Sequence, residues 1–120
     1  MGIDISKQTG KMMLTKGNNK IAVFIENIIY IQCDRELSTI FLNDNSKVVE
    51  IKTMKSYEAE LGEMGFIRIN RNTIINEKYI TKLDVTGARS NIFLGKIVLK
   101  ISRRRINFLK KHFYSLPLIS

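Results

Sequence analysis

The chain has 120 residues, 44% apolar and 26% charged, which is one domain's worth of ordinary globular composition and argues against wholesale disorder. Its longest strictly apolar run, Ile28-Ile29-Tyr30-Ile31, falls far short of the ~20 residues of a membrane helix, and residues 1–6 lack the basic-then-apolar layout of a secretory signal. The net charge is +9, and it is segregated: residues 1–65 hold 8 Lys/Arg and 9 Asp/Glu, whereas residues 66–120 hold 12 Lys/Arg against Glu77 and Asp84 alone.

Residues 1–10 are short, polar and without periodicity, and read as a loose tail; they fit the loose myristoylation pattern M-G-x-x-x-[ST], with nothing else in the chain to support it. Met12-Met13-Leu14 and Ile21-Ala22-Val23-Phe24 flank the Gly-Asn turn signal Lys16-Gly17-Asn18-Asn19 and predict a hairpin. Strands are expected over residues 28–32 and 39–42, separated by polar Asp34-Arg35-Glu36. A turn at Asn43-Asp44-Asn45-Ser46 leads into a strand over 47–51. The period then changes: Met54, Tyr57 and Leu61 at i, i+3, i+7 predict a helix over 53–61, with Thr53 as N-cap and Gly62 as C-cap. Strand signals return over 66–69, 74–75, 79–86, 91–94 and 97–101, with turns at Gly87 and Gly95-Lys96. Ser102 is the expected N-cap of a last helix striped by Ile106, Leu109 and Phe113, and Pro117 ends that pattern. The expected fold is mainly β, with one central and one C-terminal helix.

No catalytic constellation stands out. His112, the only histidine, sits late in the last helix, where it complements the helix dipole better than it serves as a base. Cys33, the only cysteine, ends an apolar strand and reads as a packed thiol; it cannot form an internal disulfide, which suits a reducing cytoplasm. One His and one Cys cannot build a zinc site of the usual spacing, and Gly87 and Gly95 are wrongly spaced for a phosphate-cradling loop. No cofactor or metal is expected, and the reading is a binding module, not an enzyme.

The segregated charge makes a strong local field that attracts polyanions and releases their counterions. Any one Lys or Arg could equally be a solvated surface residue. Arg68, Asn70, Arg71 and Asn72 nevertheless cluster where a strand should stop, and Arg to guanine and Asn to adenine are base-reading pairings. Arg103-Arg104-Arg105 opens the last helix, where basic residues oppose the helix dipole but where phosphates would meet free N–H groups.

At these residues the chain resembles the LytTR family. Residues 66–76, Phe-Ile-Arg-Ile-Asn-Arg-Asn-Thr-Ile-Ile-Asn, then Tyr79-Ile80, follow that family's F-x-R-x-H-R-S-x-[IV]-[IV]-N…I pattern. Ile28-Ile29-Tyr30-Ile31-Gln32 resembles its I-x-Y-[IF]-E strand, residues 53–61 its S-L-x-x-L-E-x-x-L helix, and Ile101-Ser102-Arg103-Arg104 its V-S-R segment. Asn70 stands where the pattern has His, Asn72 where it has Ser, and Gln32 where it has Glu. The resemblance implies an elongated arrangement of three small antiparallel sheets over residues 12–113, between a tail of 1–11 and a tail of 114–120. It also implies a transcriptional regulator whose loops enter successive major grooves of duplex DNA.

Carried over by position, Arg71 and Arg103 belong to two base-reading loops, and the loop 34–38 is a third contact region with Arg35 and Ser38 its foremost members. Asn70 and Asn72 join the expected base readers. Arg68, Arg89, Lys96, Lys100 and Arg104 are the expected phosphate contacts. Only about ten residues precede the match, so the resemblance is to a stand-alone regulator or an excised domain, with no membrane partner and no small-molecule substrate. Pairing of two copies on repeated half-sites is left open. The competing readings are a small β-rich RNA-binding protein, which would want more exposed aromatics in its basic segments, and a protein-interaction module with a basic face. A nuclease would have to draw carboxylates from Asp34, Glu36 and Asp44.

Overall fold

The computed structural model describes residues 10–85 and 89–114. Residues 1–9 of the expected N-terminal tail, the turn at Gly87 and residues 115–120 of the expected C-terminal tail, with Pro117, lie outside the described residues; Lys11 and Tyr114, expected in the tails, belong to the first strand and the last helix. By its contacts the chain forms two compact units: one of residues 1–68 and 72–78, the other of residues 69–71 and 79–120.

The first unit begins with the expected hairpin, β1 (Lys11–Lys16) and β2 (Asn19–Phe24), paired antiparallel. Its two-residue turn needs a left-handed residue after β1, and Gly17 supplies it at φ +62°. A single 3-10 turn (Ile25–Asn27) follows, tied back by the Ile25 N–H to the Gly10 carbonyl at 2.8 Å. Next come β3 (Ile28–Asp34), β4 (Leu37–Leu42) and β5 (Lys47–Ile51). Both β3 and β4 reach further into the polar segment than its composition suggests. Asp34 pairs with Leu37, leaving only Arg35 and Glu36 to turn the chain, with Arg35 held at φ +59°.

Helix α1 (Met54–Leu61) starts as expected: the Thr53 side chain accepts from the Ser56 N–H at 3.3 Å. It also ends where expected, with Gly62 as C-cap, its N–H donating to the Glu58 carbonyl. Gly62 keeps a right-handed backbone (φ −57°) and leads into a 3-10 turn (Gly62–Met64), whose left-handed stop is Gly65 at φ +85°. Strands β6 (Phe66–Asn70) and β7 (Thr73–Asn76) complete a five-stranded sheet of order β5-β4-β3-β7-β6. β7, flanked on both sides, is buried at all four positions.

The core of this unit gathers Leu14 from β1, Ile28 and Ile31 from β3, Ile40 from β4, Val48 from β5 and Ile74 from β7 against Met54, Tyr57 and Leu61 of α1. Each such side chain contributes roughly 1.5–3 kcal/mol by leaving water. One buried polar cluster interrupts the apolar packing. Tyr57 donates from its hydroxyl to Glu50 Oε1 at 2.7 Å, Ser38 bonds to both the Tyr57 hydroxyl and the Glu50 carbonyl, and the Thr15 N–H donates to Glu50 Oε2 at 2.8 Å. The Glu50 carboxylate thereby fastens β1 to β5 across the core.

The second unit carries β8 (Lys82–Asp84), β9 (Asn91–Leu94) and β10 (Ile97–Lys100), an antiparallel sheet of order β10-β9-β8, and then α2 (Arg103–Tyr114). A strand expected over residues 79–86 is cut to β8. Asn76 causes this: its Oδ1 accepts from the Lys78 N–H at 3.2 Å and turns Glu77–Tyr79 into a 3-10 loop. Gly95, at φ +66°, makes the β9–β10 turn. The second unit buries Ile92, Leu94, Leu99, Ile101, Leu109 and Phe113, so two of the three α2 stripe residues are buried outright. The mainly β fold of small antiparallel sheets with two helices is the one expected from the sequence.

Candidate nucleic-acid interface

Charge follows the structural division more sharply than it follows the sequence. Ten Lys/Arg and ten Asp/Glu fall in the first unit; ten Lys/Arg fall in the second against Asp84 alone, a net of +9. The whole excess positive charge of the chain therefore belongs to one compact body of about forty-five residues, and such a body projects a field of several kT.

Arg71 and Asn72 form the two-residue turn between β6 and β7, and both are exposed. Arg71 counts with the second unit because the end of β6 is bonded to the segment that leads into α2. The Ser102 N–H donates to the Ile69 carbonyl at 3.0 Å, and the Asn70 Nδ2 donates to the Lys100 carbonyl at 2.8 Å. Lys100 ends β10, and Arg103 opens α2 three residues later. The two arginines foremost in the sequence reading, 32 positions apart, thus stand on segments joined directly by hydrogen bonds. The Ile101 N–H extends the stitching to the Ser90 carbonyl at 2.9 Å, and the Arg105 N–H closes the first turn of α2 on the Ser102 carbonyl.

Arg89, Lys96, Lys100, Arg103 and Arg104 are all exposed residues of this unit, with Lys96 at the tip of the β9–β10 turn beside Gly95. Lys82, Lys110 and Lys111 lie in the same unit and were not singled out in the sequence, where bare charge was their only signal; Arg105, the third of the arginines that open α2, lies there too. Lys82 lies over the Phe93 ring at 5.3 Å and Arg105 near Phe108 at 6.0 Å. His112 packs edge-on to Phe113 at 5.1 Å and stacks with Phe108.

Four expected contacts stand elsewhere or are otherwise engaged. Ser38 is fully buried, its hydroxyl held by Glu50 and Tyr57. With β4 beginning at Leu37, strand alternation turns Ser38 and Ile40 inward, so Ser38 offers nothing to a ligand. Arg68, in the first unit, is paired with Glu58 at 3.0 Å and is half-buried. The Asn70 amide is a donor to protein, not an open group. Arg35 is exposed on the β3–β4 turn of the first unit, flanked by Asp34 and Glu36. Cys33 is buried, and burial pushes its thiol up from the ordinary cysteine value while Arg68 pulls weakly the other way. Among the described residues no cluster of three His, Cys, Asp or Glu is arranged to hold a metal, and no helix is long and apolar enough to cross a membrane.

A mainly β scaffold with all its excess charge in one unit, and exposed arginines on hydrogen-bonded segments of it, defines a domain built to meet a polyanion. A sequence profile of the LytTr DNA-binding domain matches residues 18–114, most of the chain, and the protein belongs to that family of DNA-binding domains of transcription regulation. Its fold is that of a solved LytTr DNA-binding domain from a Bacillus cereus protein described as a methyl-accepting/DNA response regulator. The two share 14% identity at a TM-score of 0.75, covering 88% of this chain and 97% of that one. No curated protein shows significant similarity to the chain.

Proposed function

We propose that this protein is a transcriptional regulator that reads specific duplex DNA sequences, with Arg71 and Arg103 as its base-reading side chains. In this reading each guanidinium enters a major groove and pairs with a guanine edge. Asn72 reaches a neighbouring base from the same turn as Arg71, and Arg35 supplies a third contact. Arg89, Lys96, Lys100 and Arg104 rest on phosphates, fix the register and carry the salt-dependent part of the affinity. Ser38 and Arg68 drop out of the interface for the reasons given by their burial and pairing. The work is done in the cytoplasm, on DNA, and two copies can occupy half-sites about one helical turn, ~10–10.5 bp, apart.

The observation that carries the reading is the placement of Arg71 and Arg103 on hydrogen-bonded segments of one unit of net charge +9. Phosphate attraction alone would need the charge but not the bonds that join the two segments.

Selection from a randomised duplex library at near-physiological salt, with the bound pool sequenced, tests it. A short enriched motif is expected, and Arg71→Ala and Arg103→Ala should each relax preference at one base pair at a cost of about 1–3 kcal/mol. Retention of DNA without enrichment of any motif would refute sequence-specific reading.

A further inference from the structure

We infer that Asn70 is a positioning residue: its amide sets the spacing of Arg71 and Arg103 and so controls base preference at both of their positions without touching DNA. This rests on the reading of Arg71 and Arg103 as base readers. Two hydrogen bonds of opposite direction join the end of β6 to the lead-in of α2. One is main chain, from the Ser102 N–H to the Ile69 carbonyl at 3.0 Å; the other is the Asn70 Nδ2 to the Lys100 carbonyl at 2.8 Å. A single bond between two segments leaves a hinge, whereas two bonds two residues apart on one side and one apart on the other fix both the offset and the twist. Asn70 precedes Arg71 directly, and Lys100 and Ser102 precede Arg103 by three residues and one.

The consequence for recognition is geometric. An arginine fork reads guanine only if it is held within about 0.5 Å and 10–20° of its productive position. Both forks sit on long flexible stems, so their backbone origins have to be fixed relative to each other. The Asn70 side chain spans the 30-residue gap between these segments with a direct hydrogen bond. Nothing in the register of β9 and β10 does so, because that sheet ends at Lys100.

Base-preference profiles of four variants of the full chain test the inference, with amide exchange of the DNA-free protein alongside. Arg71→Ala and Arg103→Ala first mark the two base pairs concerned. Asn70→Ala should then weaken discrimination at both of those pairs together, lower affinity for the selected site about tenfold, and leave affinity for unrelated duplex unchanged. In the same variant the Ser102 amide should exchange faster, since the companion bond now acts alone. Asn70→His should restore both readouts, because imidazole Nδ1 is attached at Cγ as Asn Nδ2 is and can donate along the same line.

Relaxation at a single, third base pair would overturn the inference and make Asn70 a base reader. So would an unchanged profile in Asn70→Ala, or loss of binding to all duplexes alike that follows a lowered melting temperature. If Arg71→Ala and Arg103→Ala themselves move no base preference, it is the underlying DNA reading that fails; if they do and Asn70→Ala does not, only the positioning role fails.

Discussion

Replacing Tyr57 by Phe isolates the hydroxyl that holds the buried polar cluster together. Tyr57 is fully buried in α1, and phenylalanine keeps its ring, its packing against the sheet and its place under the Lys52 ammonium at 4.8 Å. What is lost is the donor 2.7 Å from Glu50 Oε1 and the partner of the Ser38 hydroxyl. Glu50 is itself 93% buried, so no bulk water replaces the donor. A hydrogen bond to a charged group contributes roughly 1.5–3 kcal/mol, and Oε2 keeps its bond from the Thr15 N–H, so the loss should fall within that span. In a domain of this size that lowers the melting temperature by roughly 4–8 °C for each kcal/mol. Urea denaturation followed by far-ultraviolet circular dichroism should show a lower midpoint at unchanged slope. The same variant has a signature in alkali. Burial raises the Tyr57 phenol above its ordinary value, chiefly by desolvation, with Glu50 adding to it. The folded state therefore holds this proton more tightly than the unfolded chain. The stabilisation is complete below pH ~10 and is lost as pH rises beyond it. Tyr57→Phe should flatten that alkaline decline, leaving the parts due to Tyr30 and Cys33, whose phenol and thiol burial also raises. A loss under ~0.5 kcal/mol at neutral pH, the level of an ordinary surface change, would refute the claim that this hydroxyl holds Glu50 in place.

Cys33 is 7% exposed with a thiol raised by burial, so the folded protein should react with a thiol reagent at pH 8 at least about a hundredfold more slowly than the urea-unfolded chain; equal rates would contradict its burial. Gly62 and Gly65 should respond oppositely to alanine. Gly62→Ala, at a helical φ of −57° with open space around it, should stabilise by ~0.4–1 kcal/mol, and Gly65→Ala, at φ +85°, should cost ~1–2 kcal/mol in thermal melts. Lys96→Ala and Arg104→Ala should each reduce the slope of log affinity against log salt by about 0.9 while leaving the selected motif intact; a changed motif would mean that these residues read bases.

Much of the scaffold is legible in the residues. The alternation of Met12 and Leu14, of Ile31 and Cys33, and of Val48 and Glu50 encodes strand faces, and Met54, Tyr57 and Leu61 encode α1; on β3 a register shift between Ile28 and Tyr30 breaks the simple alternation and puts Ile28 on the core face with Ile31. Those patterns survive because a buried face at period 2 or 3.6 has few alternatives once the chain collapses. The strand expected over 79–86 fails for a local reason. Its apolar content suits a strand, but the side chain of Asn76 offers the backbone a competing bond, and the chain turns there instead. Gly62 caps the helix as its composition suggests, but with a right-handed backbone, and the left-handed requirement falls on Gly65, three residues on, where the following 3-10 turn stops.

The candidate interface is legible in charge and obscure in connection. Arg71 and Arg103 can be read as basic residues near strand ends, but the residues alone do not show that their segments are bonded. That is a contact 30 positions long, made by one amide and one backbone N–H. Ser38 and Asn70 show why polar side chains near turns are the hardest to read. Each can bond water, a ligand or a distant carbonyl at similar free energy in an open chain, and only tertiary pairing selects among these. For Ser38 the start of β4 decides the matter: it begins at Leu37, two residues before the expected Thr39, and takes Ser38 into the strand. With Leu37 as its first residue, Ser38 faces inward and is captured by Glu50 and Tyr57. For Asn70 the deciding fact is the carbonyl left open where β10 stops at Lys100. A residue of base-reading type is thereby committed to the protein, and in the proposed reading its part in specificity is to fix the spacing of Arg71 and Arg103.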